Sequence, residues 1–222
     1  MTIFYLIRHG ETEWNVTGRW QGHMDIPLND VGLAQAQRVA ERLREENMHF
    51  DVLYSSDLQR AWMTAQTIGT ALDIEPQPQQ ALREIDLGTW GGRTRAEIQE
   101  SDPETLARID AGEDLPRGGA ERITDLRARV VSAVEQIATQ HRGETIGLVA
   151  HGGTIRSLLA HATQGTPQAL GWGQHIGNTA ISVVIRTAAG WDVSVINDMA
   201  HLNGTDQAPD LMSTPPGDAE QV

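Results

Sequence analysis

The chain contains no cysteine and no lysine. The first absence excludes disulfides and thiolate metal sites and fits a reducing compartment, so a cytoplasmic location is the expectation. The second means that all 17 basic residues are arginines. A mechanism that needs a lysine is excluded, and a strong anion site has to be built from arginine, histidine and backbone N–H groups. No apolar run approaches the roughly 20 residues of a membrane span. The N-terminus enters a strand-like run with no basic segment ahead of it, so no signal peptide is expected. Positive charge is scarce: 30 acidic residues leave a formal net charge of −13, which argues against nucleic acid or an anionic membrane as a partner. The 222 residues, 39% hydrophobic and 21% charged, suffice for one large domain or a domain with an inserted cap.

The apolar pattern reads as strands alternating with helices. Ile3–Ile7 is a short β-branched and aromatic run, a buried strand. Asp30 caps a helix over about Val31–Glu46, and Val52–Ser55 forms a second strand. A helix follows from about Asp57 to Leu72, with Ser56 or Asp57 placed to cap it. Pro76 and Pro78 break the pattern, and Ala81–Gly92 is irregular and glycine-containing. Helical fragments over Thr94–Gly112, a turn at Pro116–Gly119 and a long amphipathic helix over about Glu121–Gln140 come next. Glu144–Ala150 is another buried strand, Gly153–Ala162 a helix, and Thr179–Arg186 with Trp191–Asp198 a hairpin. The predicted fold is α/β, a mostly parallel central sheet with helices on both faces. The polar, proline-containing tail after His201 is expected to be mobile.

In such sheets ligands sit beyond the carboxyl ends of the strands. The first strand ends in Arg8-His9-Gly10, and Glu144–Ala150 ends in His151-Gly152. Two strands thus deliver a His-Gly pair to one rim of the sheet. Arg8 adjoins His9, and Arg60 lies near the start of the helix after the second strand. Such a site repels a metal cation and attracts an oxyanion; a zinc centre would want carboxylates instead, so no metal is expected. With a phosphate bound, neutral His9 is able to act as nucleophile and split hydrolysis into two easier steps. Guanidinium groups would hold the non-bridging oxygens. The leaving alkoxide needs a proton from a carboxyl group. Glu84, in Arg83-Glu84-Ile85-Asp86-Leu87-Gly88, is the best candidate, although spacing alone does not separate it from Asp86 or Glu11.

Leu6-Ile7-Arg8-His9-Gly10-Glu11-Thr12-Glu13-Trp14-Asn15 resembles the defining motif of the histidine phosphatase (phosphoglycerate mutase-like) superfamily. The resemblance continues through Gly18–Gly22, Asp25–Asn29, Ser55–Ala61, Leu82–Gly92 and Val149–Gly153, so it spans Ile3 to Leu202. It implies a phosphatase domain over 1–202, in which about 84–120 contribute a small helical cap. It also implies that His9 is phosphorylated, that Arg8, Arg60 and His151 form the phosphate pocket, and that Glu84 donates a proton and then activates water. Asn15, Gln21, Gly22 and the backbone at Gly152 would help bind phosphate or substrate. The implied substrate is a small anionic phosphorylated metabolite, no cofactor is called for, and a homo-oligomer is compatible. Trp14, Trp20 and Trp90 read as packing residues, and His23, His49, His141 and His161 as surface or helix residues without a role.

The same residues serve mutases and phosphatases, so fold does not decide between them. The cofactor-dependent mutases carry a lysine and an arginine pair in a longer insert after the proton donor. Here the segment reads Trp90-Gly91-Gly92-Arg93-Thr94-Arg95, without either, which favours metal-independent hydrolysis of phosphomonoesters. A phosphoglycerate mutase is the alternative, and a non-catalytic phosphate-binding module a more distant one. Arg117 or Arg122 is a candidate for reaching a substrate carboxylate.

Overall fold

The computed structural model describes residues 1–163 and 175–202; the expected tail, 203–222, lies outside them. Among these residues six strands form one sheet: β1 (Thr2–Arg8), β2 (Val52–Ser55), β3 (Pro76–Pro78), β4 (Thr145–Ala150), β5 (Ile181–Thr187) and β6 (Gly190–Asp198). Their spatial order is β3-β2-β4-β1-β5-β6. The pairings β3–β2, β2–β4 and β4–β1 are parallel, whereas β1–β5 and β5–β6 are antiparallel. The helices are α1 (Glu13–Val16), α2 (Asp30–Glu45), α3 (Gln59–Leu72), α4 (Arg95–Ser101), α5 (Pro103–Asp110), α6 (Ile123–Gln140) and α7 (Gly152–Ala162).

Alternation along the strands builds two cores. Phe4 and Leu6 of β1, with Ile146 and Leu148 of β4, join Leu126, Val130, Val134 and Ile137 of α6 and Ile155, Leu158 and Leu159 of α7. Ile7, Leu53 and Val149 face the other way, onto Val39, Ala40 and Leu43 of α2 and Ala61, Ala65 and Ile68 of α3. Helices therefore cover both faces. Each buried aliphatic side chain contributes about 1.5–3 kcal/mol by leaving water. Residues 87–106 are tied into the first core, because Leu87, Trp90, Ile98 and Leu106 are buried in it, Trp90 edge-on to Trp20.

Three local expectations are corrected. Asn29, not Asp30, caps α2: its Oδ1 accepts the Gly32 N–H at 2.8 Å. Neither Ser56 nor Asp57 caps α3. The Gln59 N–H at its start is taken at 2.7 Å by the Asp25 carboxylate, supplied from a distant loop, while Asp57 is engaged by Arg83. The prolines at 76 and 78 sit in a strand after all. Among the described residues β3 pairs with β2 alone, and an edge tolerates a missing N–H where a central strand does not.

Candidate active site

The β1–α2 connection is folded by two glycines. A Cβ at Gly10 would stand 2.4 Å from the Gly32 carbonyl oxygen, and one at Gly32 would stand 2.0 Å from that of Glu11. Backbone meets backbone here, and no side chain fits between. The Gly10 N–H donates to Thr64 Oγ1 at 3.1 Å. This turn places His9, 3% exposed, with Nδ1 2.6 Å from the Gly10 carbonyl oxygen. A carbonyl only accepts, so Nδ1 carries the proton and the lone pair lies on Nε2. The His9 carbonyl is held in turn by the Asn178 side-chain amide at 3.0 Å and the Thr179 N–H at 3.3 Å. Thr179 adopts φ +57° to do so, an uncommon conformation for a β-branched residue.

β4 and α3 bring the partners. The rings of His9 and His151 lie 5.2 Å apart, centroid to centroid. His151 is fully buried; its Nδ1 accepts from Arg60 Nε at 3.2 Å, and its Nε2 lies 2.8 Å from Ser56 Oγ. Burial above all, then Arg60, His9 and Arg8, pushes the imidazole well below the ordinary histidine range, so it is neutral. Arg60 is 1% exposed and also donates to the carbonyls of Met24 and Gly22, both at 2.8 Å. Burial lowers it to about 10, opposed by Glu84 and Asp25, so it is cationic at neutral pH. Arg8, 4% exposed, donates to the Ile176 carbonyl. Two buried guanidiniums beside two imidazoles form a strongly anion-seeking centre.

Glu84 is carried by the irregular segment that follows the single turn Gln80–Leu82. Its carboxyl accepts the Gly153 N–H at 2.9 Å and the Ile85 N–H at 2.9 Å. The first bond sets the carboxyl group against the first turn of α7. Glycine at 153 permits it: a Cβ there would stand 2.3 Å from Glu84 Oε1. Of the other acidic candidates, Glu11 accepts from the Asn29 amide at 2.8 Å. Asp86 accepts the Gly88 N–H at 3.0 Å. Glu11 is thus tied to the cap of α2, and Asp86 to its own turn.

Gly22 has φ +51° and offers its carbonyl to Arg60, so its place in the site is made by the backbone. Gln21 is buried, its Oε1 without a hydrogen-bond partner among the described residues. Asn15 Oδ1 is occupied by the Thr12 N–H and hydroxyl, both at 3.0 Å, closing the turn that starts α1. Gly152 opens α7, and a Cβ on it would lie 3.7 Å from Arg8 Nε and from both Nη atoms of Arg156. Sequence reasoning missed Arg156, which is 3% exposed. It also set His23 aside, yet His23 Nε2 donates to the Glu84 carbonyl at 2.8 Å. Position in the Gln21-Gly22-His23 run was the available signal. Arg117 and Arg122 donate to the carbonyls of Leu115 and Asp114. Among the described residues, no group of three or more histidine and acidic side chains could hold a metal ion.

Residues 4–199 match the profile of the histidine phosphatase superfamily (branch 1). Phosphoglycerate mutase-like protein 4 of Arabidopsis thaliana is 39% identical over 206 residues, 90% of this chain and 86% of that protein. The metal-independent phosphoserine phosphatase of the same plant is 36% identical over 207 residues, 91% and 84% of the two chains. The phosphoserine phosphatase of Entamoeba histolytica, solved with 3-phosphoglyceric acid, matches with a TM-score of 0.81 at 32% identity, covering 91% of this chain and 100% of the other. With the order of its motifs, the His9–His151 pair and these likenesses in agreement, the chain belongs to the histidine phosphatase superfamily.

Proposed function

We propose that this chain is a metal-independent phosphomonoester hydrolase that works through phosphorylated His9 on a small anionic metabolite. The observation that carries this reading is the buried His9 ring, its Nδ1 fixed on the Gly10 carbonyl, set 5.2 Å from His151 and beside two buried arginines. Nε2 attacks phosphorus, the P–O ester bond breaks, and the departing oxygen takes the proton of Glu84. In the second step Glu84 takes a proton from water, whose oxygen displaces His9 and releases inorganic phosphate. Arg8, Arg60 and His151 hold the non-bridging oxygens; Asn15, Gln21, Gly22 and the Gly152 backbone complete the binding site. Residues 1–202 form the phosphatase domain, and 84–120 act as its cap over the substrate.

Hydrolysis is favoured over mutase chemistry by the fate of two arginines. Arg93 donates to Ser101 Oγ at 2.8 Å and Arg95 to the Asp110 carboxylate, so each is tied to α4 or α5 and the two do not form a paired cation site. The relatives named for phosphoserine make small carboxylated monoesters the first substrates to try. A panel containing phosphoserine and 3-phosphoglycerate, run with EDTA, is expected to show turnover in the wild type and none in His9→Ala. An alkaline detergent quench should trap base-stable, acid-labile phosphate on the wild type only. Isomerisation of 3-phosphoglycerate primed by 2,3-bisphosphoglycerate, without phosphate release, would overturn hydrolysis. Turnover with no trapped phosphate on His9 would overturn the intermediate.

A further inference from the structure

The backbone that carries Glu84 is gripped by the ion pair of Arg129 and Glu121. Arg129, on the second turn of α6, donates through Nη1 to the carbonyls of Ala81 and Arg83, at 2.9 and 3.0 Å. Its Nη2 reaches the Glu84 carbonyl at 3.2 Å and Glu121 Oε2 at 2.9 Å, while Nε meets Glu121 Oε1 at 3.1 Å. Glu121 Oε2 also accepts the Asp86 N–H at 2.9 Å, and the Glu121 N–H returns a bond to the Asp86 carbonyl. The segment 81–86 has no helix or strand of its own beyond the single turn Gln80–Leu82, so these bonds replace a regular ladder. From the far side Arg83 is clamped on Asp57 by two bonds of 2.6 Å, and His23 Nε2 shares the Glu84 carbonyl. The pair is partly shielded, with side-chain exposures of 26% for Arg129 and 15% for Glu121.

From this geometry we infer that Arg129 and Glu121 are positioning residues for the proton donor: they fix the backbone of residue 84 so that its carboxyl meets the leaving oxygen. The inference rests on the reading of Glu84 as general acid. Neither residue touches the phosphate pocket, which is held by β1, α3 and β4. Losing the pair should therefore leave anion binding intact and damage only proton transfer. An ester whose leaving group needs no proton is the discriminating probe.

Single-turnover phosphorylation of the full chain is to be compared on phosphoserine and on p-nitrophenyl phosphate, whose phenolate departs unprotonated. Inorganic phosphate affinity and thermal unfolding are measured alongside. Arg129→Ala is expected to slow phosphorylation by phosphoserine about 100-fold, the usual size of a general-acid contribution, with only a few-fold change on the nitrophenyl ester and unchanged phosphate affinity. Glu121→Gln keeps the shape of the side chain but not its charge, and should reproduce the leaving-group bias at smaller size even where Arg129→Ala fails to fold. Glu84→Gln serves as control. Equal losses on both esters in the Arg129 and Glu121 variants, with Glu84→Gln biased as expected, would overturn the positioning role. If Glu84→Gln shows no bias either, the acid assignment itself falls.

Discussion

Gly153 shows how much a missing side chain decides. Only hydrogen at that position lets the Glu84 carboxyl reach the first turn of α7, since a Cβ would come within 2.3 Å of Oε1. Alanine is otherwise a better helix former than glycine, by about 1 kcal/mol. Gly153→Ala is thus expected to keep or raise the unfolding midpoint while lowering kcat on phosphoserine about 100-fold, the cost of displacing a catalytic group by an ångström. Parallel losses of stability and activity would mean that the glycine serves packing alone. That His9, Arg60 and His151 meet was legible in the sequence, because each stands in an uninterrupted motif at the same end of the sheet; Glu84 was set apart from Asp86 and Glu11 only by the resemblance. His23, Arg129 and Glu121 were not legible. Their partners are backbone carbonyls and N–H groups up to 61 residues away, and no side-chain pattern announces such bonds.

At the level of elements, the ends of helices matter more to the site than their lengths. Asn29 caps α2 through Oδ1, and its Nδ2 donates to Glu11 Oε1, both at 2.8 Å. Asn29→Ala removes both bonds and leaves a carboxylate that is 5% exposed with less support. A loss of about 1–2 kcal/mol is expected, read as a lower denaturant midpoint at unchanged slope. A midpoint equal to that of the wild type would show that water replaces the cap. Element type followed from periodicity for α2, α6, β1 and β4, whose apolar faces are long or continuous. The start of α3 did not, because Asp25, its actual capping partner, is 34 residues away in sequence. β3 was hidden by prolines that only an edge position accommodates.

For the molecule as a whole, acid stability depends on histidines kept neutral. His201, whose Nε2 lies 2.9 Å from Thr179 Oγ1, is lowered from 6.5 to about 4 by burial first, then by Arg42 and Arg38, against Asp198 and Glu46. His151 shifts the same way. Above pH 6.5 neither form of the chain protonates these rings, and they do not affect the balance. As pH falls from 6.5 toward 4 the unfolded chain takes up protons that the folded chain refuses, so stability declines through that window. Below it, Asp57 and Asp198, lowered by Arg83 and Arg42, add to the loss as they protonate. His201→Gln retains a donor toward Thr179 and should flatten the decline between pH 6.5 and 4; an unchanged slope in chemical denaturation would assign the effect elsewhere.

The sequence by itself determined the family, the alternation of strands and helices, and which histidines and arginines are delivered to one rim of the sheet, because these depend on local residue order and on which side chains carry charge. Tertiary structure alone decided which nitrogen of His9 donates to the Gly10 carbonyl, that His151 is neutral, and how the carboxyl of Glu84 is aimed. Those properties arise from burial and from hydrogen bonds between distant backbone segments, and such bonds leave no periodic trace in the order of amino acids.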